Sequence, residues 1–211
     1  MIALGPSANR PPHILLELSV PRMSSPSLTF AVLGLALTSA GCDRQSEAPA
    51  QPNARETRVA DGSVDTSHAG TAMPDFRFTD PAGKVLELKA LRGTPVLLNL
   101  WATWCAPCVT EMPMLDQLAG RMKGRLRVVT VSQDMEGEKA VAPFFAARTF
   151  AHLEPWLDPE SELAFHFGGA NLPMSVLYDA SGREVWRLAG DFDWTSTEAT
   201  RLIDLAMPDP G

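Results

Sequence analysis

The chain has 211 residues, 45% of them hydrophobic and 20% charged, which is enough for one folded domain with an appendage and excludes wholesale disorder. Its 18 basic and 25 acidic residues give a formal net charge of −7, which argues against a general nucleic-acid binder, because phosphate binding needs clustered Lys and Arg. Three cysteines are too few for a disulfide-stapled scaffold, and the four histidines form no HExxH motif of a zinc hydrolase.

Residues 1–42 have the pattern of an export segment. No charged residue lies between Arg22 and Asp43, and residues 28–40 within this interval are largely apolar. This run is shorter than the roughly 20 residues that a membrane-spanning helix needs, so it fits the core of a signal peptide better.

The end of this segment, Ser39-Ala-Gly-Cys42, resembles the lipobox of bacterial lipoproteins, although that family usually has Leu where this chain has Ser39. The resemblance implies lipid attachment at Cys42, which would become the mature N-terminus. The alternative is an uncleaved anchor in which Cys42 has no role. In both cases we expect the rest of the chain to be exported and tethered. Asp43 resembles the inner-membrane retention signal of Gram-negative lipoproteins, which implies the periplasmic side of that membrane.

Residues 43–73 are predicted to be a flexible linker, because Ala, Pro, Gln, Ser, Thr, Asp and Gly dominate and no apolar period is present. Residues 74–208 are predicted to form one globular domain. A hairpin opens it, with strands around 76–78 and 85–86 on either side of a turn.

The apolar run at 96–101 predicts a central strand that is buried on both faces. The elements predicted after it are a helix over 107–122, a strand over 126–132, helices over 138–148 and 159–167, strands over 175–178 and 184–188, and a last helix to 207 opened by a capping box at 195–198. This order predicts an α/β fold, with a central mixed β-sheet flanked by helices and an N-terminal hairpin extension.

The motif Cys105-Ala-Pro-Cys108 carries the chemistry of the domain. It follows the buried strand and opens a helix, where the helix dipole and unpaired N–H groups stabilise a thiolate. One helical turn returns Cys108 to the same face, within reach of a disulfide with Cys105. The pair is therefore predicted to be a redox-active dithiol.

Other uses of this pair fit the sequence less well. A structural zinc site needs a second pair of ligands, and the domain has no other cysteine. Attachment of haem needs C-x-x-C-H, whereas Val109 follows Cys108. We expect no metal and no cofactor.

The segment 96–108, with Trp104 directly before the first cysteine, resembles the thioredoxin superfamily, and the resemblance extends over about 73–207. Within it, the chain resembles the membrane-tethered reductases of the TlpA/ResA type. Glu111 matches a Glu of that branch, and a carboxyl there could shuttle the proton of the resolving cysteine. Its alternative role is that of an acidic residue favoured by the helix dipole. Asn99 stands where cytosolic thioredoxin has a buried Asp, and we interpret it as a hydrogen-bonded core amide.

The resemblance also implies a cis-proline at Pro173, opposite the dithiol, which would expose the backbone of Leu172 for pairing with an extended substrate. The alternative is an ordinary edge proline. Trp104 is expected to shield the site from solvent and to take part in substrate binding.

By resemblance, the chain is expected to be an extracytoplasmic protein-disulfide reductase that acts as a monomer. Cys105 would attack the client disulfide and Cys108 would resolve the mixed disulfide. The implied clients are apocytochrome c or copper-site assembly proteins, and the implied electron donor is a membrane thiol transporter of the DsbD/CcdA kind. No nucleic acid is expected as a partner.

Two alternatives remain open. The dipeptide between the cysteines does not exclude a dithiol oxidant that installs disulfides. A non-enzymatic copper chaperone could use both thiols, although Sco-type chaperones have C-x-x-x-C with a distant His.

Overall fold

The computed structural model describes residues 57–59, 62–169 and 171–207. The strands are β1 (Thr57–Val59), β2 (Gly62–Asp65), β3 (Arg77–Thr79), β4 (Val85–Glu87), β5 (Val96–Trp101), β6 (Arg127–Ser132), β7 (Trp156–Leu157), β8 (Met174–Tyr178) and β9 (Glu184–Ala189). The helices are α1 (Ala106–Arg121), α2 (Glu138–Ala146), α3 (Glu162–His166) and α4 (Thr197–Asp204), with one 3-10 turn at Leu88–Leu91. Within these ranges no helix is both long enough and apolar enough to cross a bilayer. The export segment 1–42, with Cys42, lies outside the described residues.

The strands form one mixed sheet in the order β1-β2-β9-β8-β5-β6-β7-β3-β4. At its centre, β5 pairs in parallel with β6 and antiparallel with β8. The carboxyl ends of β5 and β6 and the amino end of β8 therefore meet at one edge of the sheet. This architecture confirms the predicted fold class.

Side chains of β5 alternate between the two faces of the sheet, as the pleat requires. Leu97 and Trp101 belong to the core cluster that packs under α1, α2 and α4. Leu98 and Leu100 belong to a second cluster, formed with the β3–β4 hairpin and α3. Because both faces are covered, every residue of β5 is buried, which is why the strand is an unbroken apolar run apart from Asn99.

The sheet begins earlier than the sequence indicates. Strand β2 pairs with β9, and Val64 and Met73 are both buried. These residues lie in the segment 43–73 that the sequence assigns to a linker. A four-residue strand with one large apolar residue has too little periodicity to stand out from its polar surroundings.

The start of the last helix also differs from the prediction. Ser196, not Thr195, is the N-cap of α4, and its hydroxyl accepts the N–H of Ala199 at 3.0 Å. The Thr195 hydroxyl instead donates to Asp193. Two adjacent hydroxyl residues compete for the cap, and the sequence does not decide between them.

Candidate active site

The two cysteines of the CxxC motif form a disulfide at the start of α1, with their Cα atoms 5.3 Å apart. Cys105 is the N-cap, and its Sγ accepts the N–H of Cys108 at 3.3 Å. Pro107 occupies the first turn, where a missing N–H costs no hydrogen bond. Cys105 is 6% exposed and Cys108 1% exposed, so Cys105 is the more accessible of the two residues.

The turn that leads into the disulfide is held by a buried carboxylate. Asp134 is 3% exposed and accepts the N–H of Thr103 at 2.9 Å and its hydroxyl at 2.6 Å. The hydroxyl of Ser132 donates to the same carboxylate at 2.7 Å. The sequence analysis missed Asp134. Thr103 and Asp134 follow the neighbouring parallel strands β5 and β6, and that adjacency is the signal that could have found the pair.

Glu111 lies one turn after the disulfide and is 2% exposed. Its Oε1 accepts the backbone N–H of Phe192 at 2.5 Å, whereas its Oε2 has no partner among the described residues. Burial raises the pKa of this carboxyl to about 7, against the opposing effect of the Phe192 N–H. Trp194 and Asn99 also favour the ionised form, while the negative charge of Asp191 favours the protonated one.

Asn99 is buried, and its amide donates to the hydroxyl of Ser175 at 3.0 Å. Its side chain lies on the same face of β5 as Leu97 and Trp101, which is the face covered by α1. Asn99 is therefore the hydrogen-bonded core amide that the sequence predicts, and in addition it acts on the pKa of Glu111.

The peptide bond between Leu172 and Pro173 is cis. Met174, the next residue, pairs with Leu100 near the carboxyl end of β5. The cis bond therefore lies at the edge of the sheet where β5 ends and where the active-site turn, residues 102–105, begins. Leu172 packs against both core clusters. The carbonyl of Pro173 accepts the N–H of Gly190 at 3.0 Å, which fixes this turn to the end of β9.

Trp104 precedes the disulfide and is 69% exposed. A side chain that shields a site faces solvent on its outer side, so the predicted shielding role of Trp104 stays a prediction. Its exposure is suited to contact with another molecule.

Within the described ranges, no group of three or more His, Cys, Asp or Glu side chains is arranged to hold a metal ion. The site brings together the Cys105–Cys108 pair and the Glu111 carboxyl, whose pKa is about 7.

A disulfide that opens the helix after the central strand, beside a cis-proline, is the arrangement of thioredoxin-like thiol–disulfide oxidoreductases, and the chain is a member of this class. More narrowly, residues 69–192 match the AhpC/TSA family, and the chain belongs to that family.

Individual relatives agree with this assignment. The thiol-disulfide oxidoreductase ResA of Bacillus anthracis is 32% identical over 122 residues, which cover 58% of this chain and 70% of ResA. The structure of a putative thiol:disulfide interchange protein DsbE from Chlorobium tepidum matches with a TM-score of 0.59 and 26% identity, over 66% of this chain and 98% of that one. The exposed lipoprotein thioredoxin Etrx1 of Streptococcus pneumoniae matches with a TM-score of 0.53 and 26% identity, over 60% of this chain and 97% of that one.

Proposed function

We propose that the protein is a tethered, extracytoplasmic thiol–disulfide oxidoreductase that reduces disulfides of client proteins through Cys105 and Cys108. The observation that carries the proposal is the asymmetry of the pair. Cys105 caps the helix and is the more accessible residue, whereas Cys108 is buried in the core, one helical turn before the buried Glu111. This arrangement supports a mechanism in which Cys105 reacts with the client disulfide and Cys108 resolves the mixed disulfide.

The reaction starts from the reduced pair. The thiolate of Cys105, stabilised by the N-terminus of α1, attacks one sulfur of the client disulfide. A mixed disulfide forms and the first client thiolate leaves, taking a proton from solvent. Cys108 then attacks Cys105 in the mixed disulfide, and the second client thiolate leaves. Two electrons pass to the client, each client thiolate takes its proton from solvent, and the proton of Cys108 stays behind on the protein. The protein is left with the disulfide seen in the structure.

Glu111 takes part in the second step, the attack of Cys108 on the mixed disulfide. As a thiol, Cys108 is a poor nucleophile until it loses its proton. A carboxylate one turn along the same helix can accept that proton, because a pKa of about 7 leaves both forms of Glu111 populated at neutral pH. Its Oε2, which has no hydrogen-bond partner among the described residues, is the atom we assign to this transfer.

Client binding is assigned to Trp104, Leu172 and Pro173. Trp104 offers an exposed aromatic surface beside the disulfide. The turn at Leu172–Pro173 lies at the same edge of the sheet and offers a backbone along which an extended client segment can pair.

The N-terminal segment supplies the tether, by lipid on Cys42 or by an uncleaved anchor. The likeness to a structure described as an exposed lipoprotein thioredoxin supports this assignment. On the outer face of the membrane, reducing electrons would come from a membrane thiol transporter of the DsbD/CcdA kind. Apocytochrome c and copper-site assembly proteins are the proposed clients, because each needs free cysteines in an oxidising compartment.

The test is a trapping experiment with the full chain. Cys108→Ser leaves the attacking thiol and removes the resolving one, so it should accumulate a mixed disulfide with the client. Cys105→Ser is the matched control and should trap nothing. The reduction potential of the wild-type Cys105–Cys108 pair shows whether the protein reduces or oxidises its clients. A value near or below about −270 mV fits a reductase, whereas one near −120 mV would make the protein an oxidant. Absence of any trapped partner with Cys108→Ser would refute the mechanism.

A further inference from the structure

Met135 lies in the turn that follows β6 and is 86% exposed, more than any other large apolar residue among those the structure describes. The Met135 turn spans residues 134–137 and is closed by the N–H of Gly137, which donates to the carbonyl of Asp134 at 2.8 Å. A single exposed apolar side chain is ordinary on a protein surface. The position of this turn beside the active site gives Met135 a possible use.

Hydrogen bonds hold the Met135 turn next to the active-site turn. The N–H of Gln133 donates to the carbonyl of Trp101 at 2.8 Å, which extends the pairing of β5 with β6 to the ends of these strands. Beyond this bond, the Asp134 carboxylate accepts the N–H of Thr103 at 2.9 Å and its hydroxyl at 2.6 Å. Met135 is therefore presented to solvent from a turn whose backbone is fixed on both sides.

Met135 and Trp104 lie close together because of this contact. Each is the next residue along the chain after one member of the Thr103–Asp134 pair, and consecutive Cα atoms are about 3.8 Å apart. Trp104, which directly precedes Cys105, is itself 69% exposed. Two exposed apolar residues thus flank one hydrogen-bonded pair beside the disulfide.

The Met135 turn also has a defined place relative to the client path proposed above. Strand β5 lies between β8 and β6, so the active-site turn lies between the Leu172–Pro173 turn and the Met135 turn. Neighbouring strands are about 4.8 Å apart, which places the two outer turns roughly 10 Å apart. An extended peptide covers that distance in about three residues. A client segment that lies on the Leu172–Pro173 turn and crosses Cys105 therefore reaches Met135 close to its own cysteine.

We propose that Met135 is a specificity-determining residue, which binds an apolar side chain of the client within about three residues of the client's reacting cysteine. The inference rests on the reductase function proposed above. The unbranched thioether side chain of Met is flexible and polarizable, so it can pack against apolar partners of different shapes. Clients with an apolar residue near the cysteine should therefore bind better than clients with a small polar residue there.

The contact should act on binding and leave the sulfur chemistry unchanged. Met135 touches the client before the first thiolate attacks and keeps the same contact in the mixed disulfide. An interaction that is equally strong in the bound client and in the transition state lowers the half-saturating concentration and does not change the limiting rate. Covering part of a Met side chain with an apolar partner corresponds to about a tenfold change in that concentration.

The experiment follows oxidation of the pre-reduced full chain by a large excess of a disulfide-linked dimer of a short peptide with one cysteine. Two peptides are compared, with leucine in one and serine in the other at the positions two residues to either side of the cysteine. The wild type should have a half-saturating concentration about tenfold lower for the leucine peptide. Met135→Gln, which is polar and of similar length, should remove most of this difference and keep the limiting rate. Met135→Leu should retain the preference.

Val85→Thr is the matched control, because it also replaces an exposed apolar side chain with a polar one of similar size. Val85 is 49% exposed and lies on β4, four strands away from β5, so this variant should behave as the wild type. Equal half-saturating concentrations of the leucine peptide for Met135→Gln and the wild type, or an equal rise with both peptides, would overturn the proposal. A wild-type protein that reduces neither peptide would instead refute the proposed function itself, and this inference with it.

Discussion

The buried Glu111 makes the stability of the oxidised protein depend on pH. Its pKa rises from the ordinary 4.5 to about 7 in the folded state, chiefly by burial. Between these values the folded protein holds a proton that the unfolded chain has released, so the free energy of unfolding falls as the pH rises. At 1.36 kcal/mol for each pKa unit, the stability lost between pH 4 and pH 8 is about 3 kcal/mol.

Glu111→Gln should remove this dependence. The amide has the shape of the protonated acid and does not titrate, and its carbonyl oxygen can still accept the Phe192 N–H. The free energy of unfolding of the variant minus that of the wild type should therefore rise by about 3 kcal/mol from pH 4 to pH 8. The same variant should reduce clients about a hundredfold more slowly, because it cannot carry a proton.

Guanidinium unfolding of the two oxidised proteins across this pH range measures the difference directly. Glu136→Gln is the matched control, because Glu136 is exposed and lies outside α1 in the chain. The difference in the free energy of unfolding between this control and the wild type should be the same across the pH range. A flat difference for Glu111→Gln as well would refute the argument that burial of this carboxyl opposes its ionisation.

Two further predictions concern single hydrogen-bonding groups. Asp134→Asn replaces an acceptor oxygen facing Thr103 and Ser132 with an amide nitrogen, so it should cost about 1–3 kcal/mol in denaturant unfolding and slow client reduction by loosening the active-site turn. Unchanged stability would show that the turn does not depend on this carboxylate. Ser196→Ala should cost about 1 kcal/mol in thermal or denaturant unfolding, because Ser196 caps α4. If Thr195→Ala were instead the more destabilising of the two, the cap assignment would be wrong.

The parts of the fold that the sequence predicts best are those whose pattern is local. The run at 96–101 is a strand because both of its faces are covered, and the CxxC motif starts a helix because Cys105 can cap it and Pro107 suits the first turn. The hairpin of β3 and β4 has alternating residues on either side of a turn, and it too is found where the sequence places it.

The features that the sequence does not predict depend on contacts between residues that are far apart in the chain. The partner of Glu111 is a backbone N–H at Phe192, and a backbone group has no signature in the sequence. The carboxylate that holds the active-site turn comes from Asp134, at the end of another strand. Strand β2 is fixed by its pairing with β9 rather than by its own composition, so the linker assignment extended too far.

The disulfide joins two residues of a single helical turn, so it bridges no distant parts of the chain. A crosslink that closes so short a loop restrains the unfolded chain much less than one that joins separate elements. Breaking it therefore leaves the sheet and both cores held by their own packing. We therefore expect the protein to pass between its reduced and oxidised forms through many catalytic cycles without a rearrangement of the sheet or of either core.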